Sequence, residues 1–214
     1  MRQLLVACLV ALAPGRQPPA RNYRYCGRGC KYDKSIDLVY VHVPKTGGAT
    51  ARAALANCSG VFVEYANHVL GVARVLKLGR NATLALREPA DRVISEWHWS
   101  KDELGRDARL SDRAWALADA PALLAHAAKR LAPMHPFFDD VAEDDARVRV
   151  LCTERLAADL GALARDRGCA ASVPRLHRTA ASATSHHDMT PELRAELRRA
   201  YARDAALHDH YCTT

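Results

Sequence analysis

Short apolar runs alternate with amphipathic, alanine-rich segments along the first half of the chain. Three mostly apolar, β-branched runs predict buried strands, at Ile36–Val43, Val61–Tyr65 and Ala82–Glu88. The segments between them, Ala49–Cys58 and Val69–Gly79, have the composition of helices. Strands that alternate with helices predict an α/β fold of three layers, with a central parallel sheet flanked by helices.

The second half continues with helix signals and one further strand. A proline at the first position of a helix and a threonine just before it are typical start signals. The predicted elements are a helix that opens at Pro89, a helical region over Ser111–Ala132, a strand at Val148–Leu151, a helix capped by Thr153, and a last helix capped by Thr190 that runs to about Tyr211. Gly168–Met189 lacks periodicity and predicts a loop.

The N-terminal 35 residues differ in composition from the rest. Leu4–Ala13 is an apolar stretch of signal-peptide length after a single arginine, and it is too short to span a bilayer comfortably. Residues 1–13 therefore predict a signal peptide or a short membrane anchor, with a buried N-terminal element as the alternative. Residues 14–35 predict a stem or linker, and residues 36–214 are long enough for one domain with its own core.

Cysteines and charge bear on the compartment and the partner. Six cysteines remain if Cys8 leaves with the leader, namely Cys26, Cys30, Cys58, Cys152, Cys169 and Cys212. An even number fits an oxidising lumen, but six cysteines allow fifteen pairings. Asn57 and Asn81 open N-x-S/T sequons, which agree with secretion. The net charge of +7 favours an anionic partner, with an idle basic surface as the alternative.

The turn between the first strand and the first helix has the sequence YVHVPKTGGAT, Tyr40–Thr50. A tight strand–turn–helix gathers main-chain amides at the positive end of the helix dipole. Gly47 and Gly48 permit positive φ and close approach, Lys45 adds a full charge, and Thr50 is a candidate helix cap. The pattern predicts an anion cradle in a P-loop-like position. The lysine precedes the glycines, which is not the Walker A order and disfavours an ordinary ATPase or GTPase.

Two motifs that follow one another along the chain resemble those of a known family. HVPKTGGAT resembles the 5′-phosphosulfate loop of carbohydrate sulfotransferases, in the form met in Golgi glycan enzymes of the heparan sulfate 2-O and 6-O types. LREPADRVISEWHW, Leu86–Trp99, resembles the 3′-phosphate motif of the same family. VLCTERLAADL and the segment Met189–Tyr211 are weaker echoes of its strand–E-x-L helix and its C-terminal L-x-x-x-Y-x-x-D helix. The similarity spans Ile36–Tyr211.

The resemblance implies that the co-substrate is PAPS (3′-phosphoadenosine 5′-phosphosulfate) and that no metal is needed. It implies a phosphosulfate site made of Lys45, Thr46, Gly47, Gly48, Ala49 and Thr50, and a 3′-phosphate site made of Arg87 and Ser95. Lys45 would also stabilise charge on the bridging oxygen as the sulfuryl group leaves. Ala49 stands where the family commonly has threonine, which removes a hydroxyl but keeps the main-chain amide.

The acceptor hydroxyl also needs a general base. By resemblance His68 fills this role, and Glu64 is the alternative; a histidine that caps or packs the next helix would look the same in sequence. The implied acceptor is a glycan, most simply a polysaccharide and not a nucleic acid. The implied location is the Golgi lumen, by a type II anchor, or the exterior after cleavage. The competing interpretations are a kinase-like P-loop protein and a non-catalytic module for acidic glycans.

Overall fold

The computed structural model describes residues 35–63, 71–104, 120–142, 144–169, 173 and 189–213. Four strands lie in one sheet in the order β2–β1–β3–β4, and all neighbours are parallel. They are β1 Leu38–Val41, β2 Val61–Val63, β3 Asn81–Leu86 and β4 Val148–Cys152. The chain passes from β2 across β1 to β3, so the strand order reverses between β1 and β3. In open parallel sheets, ligands bind outside the carboxyl ends of the strands at this point.

Helices cover both faces of the sheet. They are α1 Gly48–Leu55, α2 Val72–Lys77, α3 Pro89–Leu104, α4 Ala120–Arg130, α5 Leu156–Asp166, α6 Pro191–Ala200 and α7 Ala202–Cys212, with short 3₁₀ turns at His135–Phe138 and Thr153–Arg155. The predicted α/β fold, a three-layer fold with a central parallel sheet flanked by helices, is confirmed.

The alternation of side chains along β1 divides the core into two layers. Leu38 and Tyr40 pack with buried residues of α1 and α5 on one face. Val39 and Val41 pack with residues of α2, α7 and the 3₁₀ turn at His135–Phe138 on the other. A third apolar cluster joins α3, α4 and α6 beside the sheet. β1 is therefore fully buried, and the turn that follows it is attached to one of the two inner strands of the sheet.

Several predicted helix ends are confirmed and others are wrong. Thr190 caps α6, because its Oγ1 accepts the amide of Leu193 at 3.2 Å. Thr50 is not a cap: Gly47 occupies the cap position, so Thr50 lies in the first turn. Thr153 does not cap α5 either, since a 3₁₀ turn intervenes. The single last helix is in fact two, because the chain leaves helical geometry at Tyr201, with φ −111° and ψ 40°.

Two disulfides tie helix ends to the rest of the domain. Cys58 after α1 is bonded to Cys169 after α5, and Cys152 at the end of β4 is bonded to Cys212 at the end of α7. The two N-terminal cysteines and the predicted leader lie outside the described residues. Among the helices of the described ranges, none has the length and apolar character needed to cross a membrane.

Candidate anion-binding site

The turn after β1 contains two residues with left-handed backbone, and for one of them, Lys45, this conformation is unfavourable. Lys45 has φ 65° and Gly47 has φ 84°. A left-handed conformation costs glycine little, but it costs other residues on the order of 1–3 kcal/mol and persists only where the surroundings fix it. The Oγ1 of the buried Thr46 donates to the carbonyl of Val43 at 2.9 Å and braces the turn from inside. Such strain is typical of functional turns.

The two glycines of the turn serve different purposes. Gly47 takes positive φ, as predicted, and a Cβ there would lie 2.4 Å from Leu156 Cδ2. Gly48 does not take positive φ, because it is the first residue of α1. A Cβ on Gly48 would lie 2.0 Å from Cδ2 of the buried His42 ring. Gly48 is therefore needed so that α1 can pack against the end of β1.

Gly48→Ala is expected to lower the free energy of unfolding by about 1–3 kcal/mol, the usual cost of overpacking a core. Gly161→Ala, on α5, is the matched control. A Cβ there meets only Arg165 Nη1 at 3.5 Å, so alanine is expected to be neutral or to stabilise by up to about 1 kcal/mol. Urea unfolding of both variants measures the difference. A Gly48→Ala variant as stable as the Gly161→Ala variant would contradict the packing role.

The first turn of α1 presents main-chain amides at the carboxyl edge of the sheet. The first helical hydrogen bond runs from the amide of Ala51 to the carbonyl of Gly47, at 3.0 Å. The amides of Gly48, Ala49 and Thr50 thus have no acceptor inside the helix, and no side chain caps it. Together with the helix dipole, these amides favour an anion at this end of α1.

Arg87 enters the same place from the neighbouring strand. It follows β3 directly, and its Nη1 donates to the carbonyl of Lys45 at 3.3 Å. Burial lowers the pKa of Arg87, and the nearby carboxylates of Asp91, Glu154 and Glu88 oppose that shift. An arginine stays protonated under such conditions. The crevice between β1 and β3 therefore holds a fixed positive charge beside the turn.

One face of α3 runs along the turn. Arg92, Ser95 and Trp99 share this face, since they are spaced by three and four residues. Arg92 Nε donates to the carbonyl of Pro44 at 2.9 Å. The Trp99 ring, 42% exposed, has Lys45 Nζ 4.9 Å from its centroid. Ser95 lies between these two residues on α3 and is partly exposed.

The structure thus brings most of the predicted site residues to one edge of the sheet. They are Lys45, Thr46, Gly47, Gly48, Ala49 and Thr50 on the turn and α1, Arg87 after β3, and Ser95 on α3. His68 and Glu64, the predicted base and its alternative, lie outside the described residues. The binding roles of all these residues stay predictions.

A charged cluster next to Arg87 was not predicted. Glu88 accepts the amide of Asp91 at 2.9 Å and Arg194 Nη1 at 2.8 Å, so it caps α3 and anchors α6. Glu154 Oε1 accepts the amide of Glu88 at 3.3 Å and lies 3.2 Å from His208 Nε2. Burial raises the pKa of Glu154, but the hydrogen bonds to His208 and the main chain outweigh it and lower the pKa to about 2. Glu154 is therefore a poor general base.

A cavity of about 370 Å³ opens at the opposite edge of the sheet, near the start of β1 and β3. Three arginines line it, and each pairs with an aspartate: Arg147 with Asp145, Arg149 with Asp166, and Arg167 with Asp37. Their charges are neutralised locally, so this cavity offers no net positive charge to an anion.

Within the described residues, one group of potential metal ligands is compact, made of Cys152, Glu154 and Cys212. Its two sulfurs are joined in a disulfide and cannot act as thiolate ligands. This cluster is therefore a covalent link between β4 and α7 and not a metal centre.

Comparison with solved structures finds remote similarity to two sulfotransferases. No family model matches the sequence, and no curated protein matches it. A sulfotransferase from Alicyclobacillus acidocaldarius is 16% identical with a TM-score of 0.49, and covers 82% of this chain and 94% of its own. Mouse sulfotransferase SULT7A1, complexed with PAP, is 11% identical with a TM-score of 0.38, and covers 81% of this chain and 67% of its own. Both similarities are remote, so the function has to follow from the residues of this chain.

Proposed function

We propose that this protein transfers a sulfuryl group from PAPS to a hydroxyl group of a glycan. The observation that supports this most directly is the juxtaposition of two cationic elements at the strand-order reversal. The Lys45 turn follows β1, Arg87 follows β3, and the Arg87 Nη1 to Lys45 carbonyl distance is 3.3 Å. PAPS carries two separate anionic groups, the phosphosulfate and the 3′-phosphate, and the site offers one element to each.

The turn and α1 suit the phosphosulfate. The uncapped amides of Gly48, Ala49 and Thr50 donate to its oxygens without an added counter-ion. When bound, PAPS supplies an activated sulfuryl group whose transfer leaves negative charge on the bridging oxygen. Lys45 stabilises that charge, and its side chain leaves the face of Trp99 to reach it. The catalytic contribution of this chain is thus placement and charge stabilisation.

Arg87 and Ser95 suit the 3′-phosphate. The planar guanidinium of Arg87 can present two parallel N–H groups to a phosphate, and the Ser95 hydroxyl adds a third donor from α3. The neighbouring carboxylate of Glu88 does not compete with the phosphate for Arg87, because its two oxygens accept from Arg194 and Arg198 on α6. The site therefore separates the two anionic groups of one nucleotide between α1 and α3.

Two experiments test the proposal: the stability of the protein with bound nucleotide, and the transfer of sulfate from PAPS to a glycan. Saturating 3′,5′-ADP, at about 100 times its Kd, should stabilise the protein by about 2.7 kcal/mol, and ATP should not. Labelled sulfate should move from PAPS to members of a panel of glycosaminoglycans and their desulfated forms. Stabilisation by ATP alone would instead favour a kinase-like protein. Glycan binding without any nucleotide effect would favour a non-catalytic module.

Arg87→Ala should weaken 3′,5′-ADP far more than 5′-AMP, because only the former carries the phosphate that Arg87 is proposed to hold. The loss should be about 1.5–3 kcal/mol, the value of a charge-assisted hydrogen bond. Calorimetric titration with both nucleotides measures it. Arg147→Ala is the control, since Arg147 pairs with Asp145 at the opposite edge of the sheet. Equal losses for the two nucleotides would make Arg87 a structural residue.

We also propose that the protein works in the lumen of the secretory pathway, in the Golgi or outside the cell. The disulfides Cys58–Cys169 and Cys152–Cys212 support an oxidising compartment, and the apolar stretch Leu4–Ala13 supports entry or anchoring. Protection of the tagged full chain from protease in sealed microsomes, lost on adding detergent, is the expected result. Digestion without detergent would contradict it.

A further inference from the structure

Arg92 is a charged residue in the core. It is 1% exposed and reaches three separate parts of the chain. Its Nε donates to the carbonyl of Pro44 at 2.9 Å and its Nη2 to the carbonyl of Ala132 at 2.8 Å, while Nη1 lies 3.7 Å from Asp204 Oδ2 on α7. Burying a charge pair seldom adds net stability over apolar packing. The position of Arg92 therefore calls for a reason besides stability.

Arg92 is too deeply buried to contact a nucleotide. Its charge nevertheless persists at neutral pH: burial lowers the pKa of Arg92 to about 10, with Asp204 acting in the opposite direction. Asp204 is itself held in place, because it accepts the amides of Met134 at 2.7 Å and His135 at 2.9 Å. Arg92 thus links α7 to the turn after β1, through Asp204 on one side and the carbonyl of Pro44 on the other.

On the side of the turn, Arg92 contacts Pro44, the residue directly before Lys45 with its strained backbone. Arg92 holds the carbonyl of Pro44, and Arg87 holds the next carbonyl, that of Lys45. In a trans peptide the carbonyl and the amide point in opposite directions, so the amides of Lys45 and Thr46 point away from the two guanidinium groups. The left-handed φ of 65° at Lys45 lies between these two fixed peptides. Without the hydrogen bond from Arg92 to the carbonyl of Pro44, the peptide between Pro44 and Lys45 could rotate and relieve the strain at Lys45.

We propose that Arg92 is a positioning residue of the donor site, which fixes the Pro44–Lys45 peptide and so aims the Lys45 side chain and the amides that follow. The importance of this for sulfuryl transfer rests on the proposed function above. The restraint itself belongs to the ligand-free protein and can be observed there.

Arg92→Lys is the sharpest test. Lysine keeps the charge beside Asp204 but lacks the planar fork that reaches two carbonyls at once. In ¹⁵N NMR of the ligand-free variant, shift changes are expected around the substitution and its contacts at Ala132 and Asp204. Beyond these, shift changes and exchange broadening should appear at Lys45–Gly48 and be absent from β3. The Kd for 3′,5′-ADP should rise about 10-fold, because amides that are no longer preorganised bind the anion less well, although Arg92 itself does not contact the nucleotide. Arg147→Lys, at the opposite edge, is the matched control and should change neither.

Measurements of kcat distinguish a positioning role of Arg92 from a role in the stability of the whole domain. If Arg92 acts through Lys45, the fold-losses in kcat of Arg92→Lys and Lys45→Ala should not multiply in the double variant. Undisturbed Lys45–Gly48 amides, or changes spread evenly over the domain, would overturn the inference. If the wild type neither binds 3′,5′-ADP nor transfers sulfate, the proposed function fails, while the NMR result still decides whether Arg92 fixes the turn. Should Arg92→Lys not fold, Asp204→Asn removes the negative charge that lies beside Arg92 on α7, and the same NMR changes at Lys45–Gly48 are expected.

Discussion

Replacing Lys45 with alanine is expected to lower the turnover number for sulfuryl transfer by about 10²–10³-fold, the range seen when one charge-stabilising donor is removed. The affinity for PAPS should fall less. In the proposed mechanism the uncapped amides of Gly48, Ala49 and Thr50 still bind PAPS in the ground state, whereas the ammonium group matters most as charge builds on the leaving oxygen. Steady-state kinetics over a range of PAPS concentrations separates the two effects.

The backbone at Lys45 offers a control that separates the loss of charge from a change in backbone strain. Because Lys45 has φ 65°, alanine keeps a Cβ in a strained conformation and glycine relieves it. Lys45→Ala and Lys45→Gly should lose turnover equally if the lost charge is the cause. A glycine variant with near-normal turnover would assign the alanine defect to the backbone. An unchanged turnover number in both would remove Lys45 from the mechanism.

The order of strands and helices could be predicted because local signals specify it. The apolar runs of β1 and β3 mark buried parallel strands, and Pro89 and Thr190 mark helix starts by chemistry that acts over a few residues. The position of the tight turn at Lys45–Gly48 followed from the same kind of signal. Thr50 misled because capping depends on where the preceding backbone turns, which Gly47 decides through its positive φ.

The supports of the site could not be predicted, because they join residues distant in sequence. Arg92 and Asp204 both lie in segments that resemble family motifs, yet nothing local pairs an arginine on α3 with an aspartate on α7. The disulfide partners were open for the same reason. Glu154 was flagged only as part of a strand–E-x-L pattern. Its contacts with the amide of Glu88 and with His208 arise from the pairing of β3 with β4 and the packing of α7.

Glu154 and His208, which pair with each other near Arg87, are both poor candidates for the proposed general base. Glu154 stays ionised to about pH 2 and holds little affinity for a proton. Burial lowers the pKa of His208, but its hydrogen bond and charge interaction with Glu154 outweigh this and raise it, so His208 is less often neutral at a given pH than an ordinary histidine. β2 pairs with β1 so that Val63 lies opposite Tyr40, and the chain leaves β2 at the same edge as the Lys45 turn. The sequence next after β2 is where the predicted base, His68, occurs.

His68→Ala is expected to lower the rate by about 10²–10⁴-fold, the usual contribution of a general base, and to leave 3′,5′-ADP affinity nearly intact. In the proposed mechanism the nucleotide is bound by the turn, Arg87 and Ser95, and the base acts on the acceptor instead. Only a neutral histidine accepts a proton, so wild-type activity should fall as pH drops through the range where histidines ordinarily titrate, about 6.5. The variant should lose that acid limb. His210→Ala, at an exposed histidine of α7, should retain it. A near-normal rate for His68→Ala would pass the role to Glu64, and a loss of nucleotide affinity would make His68 part of the fold.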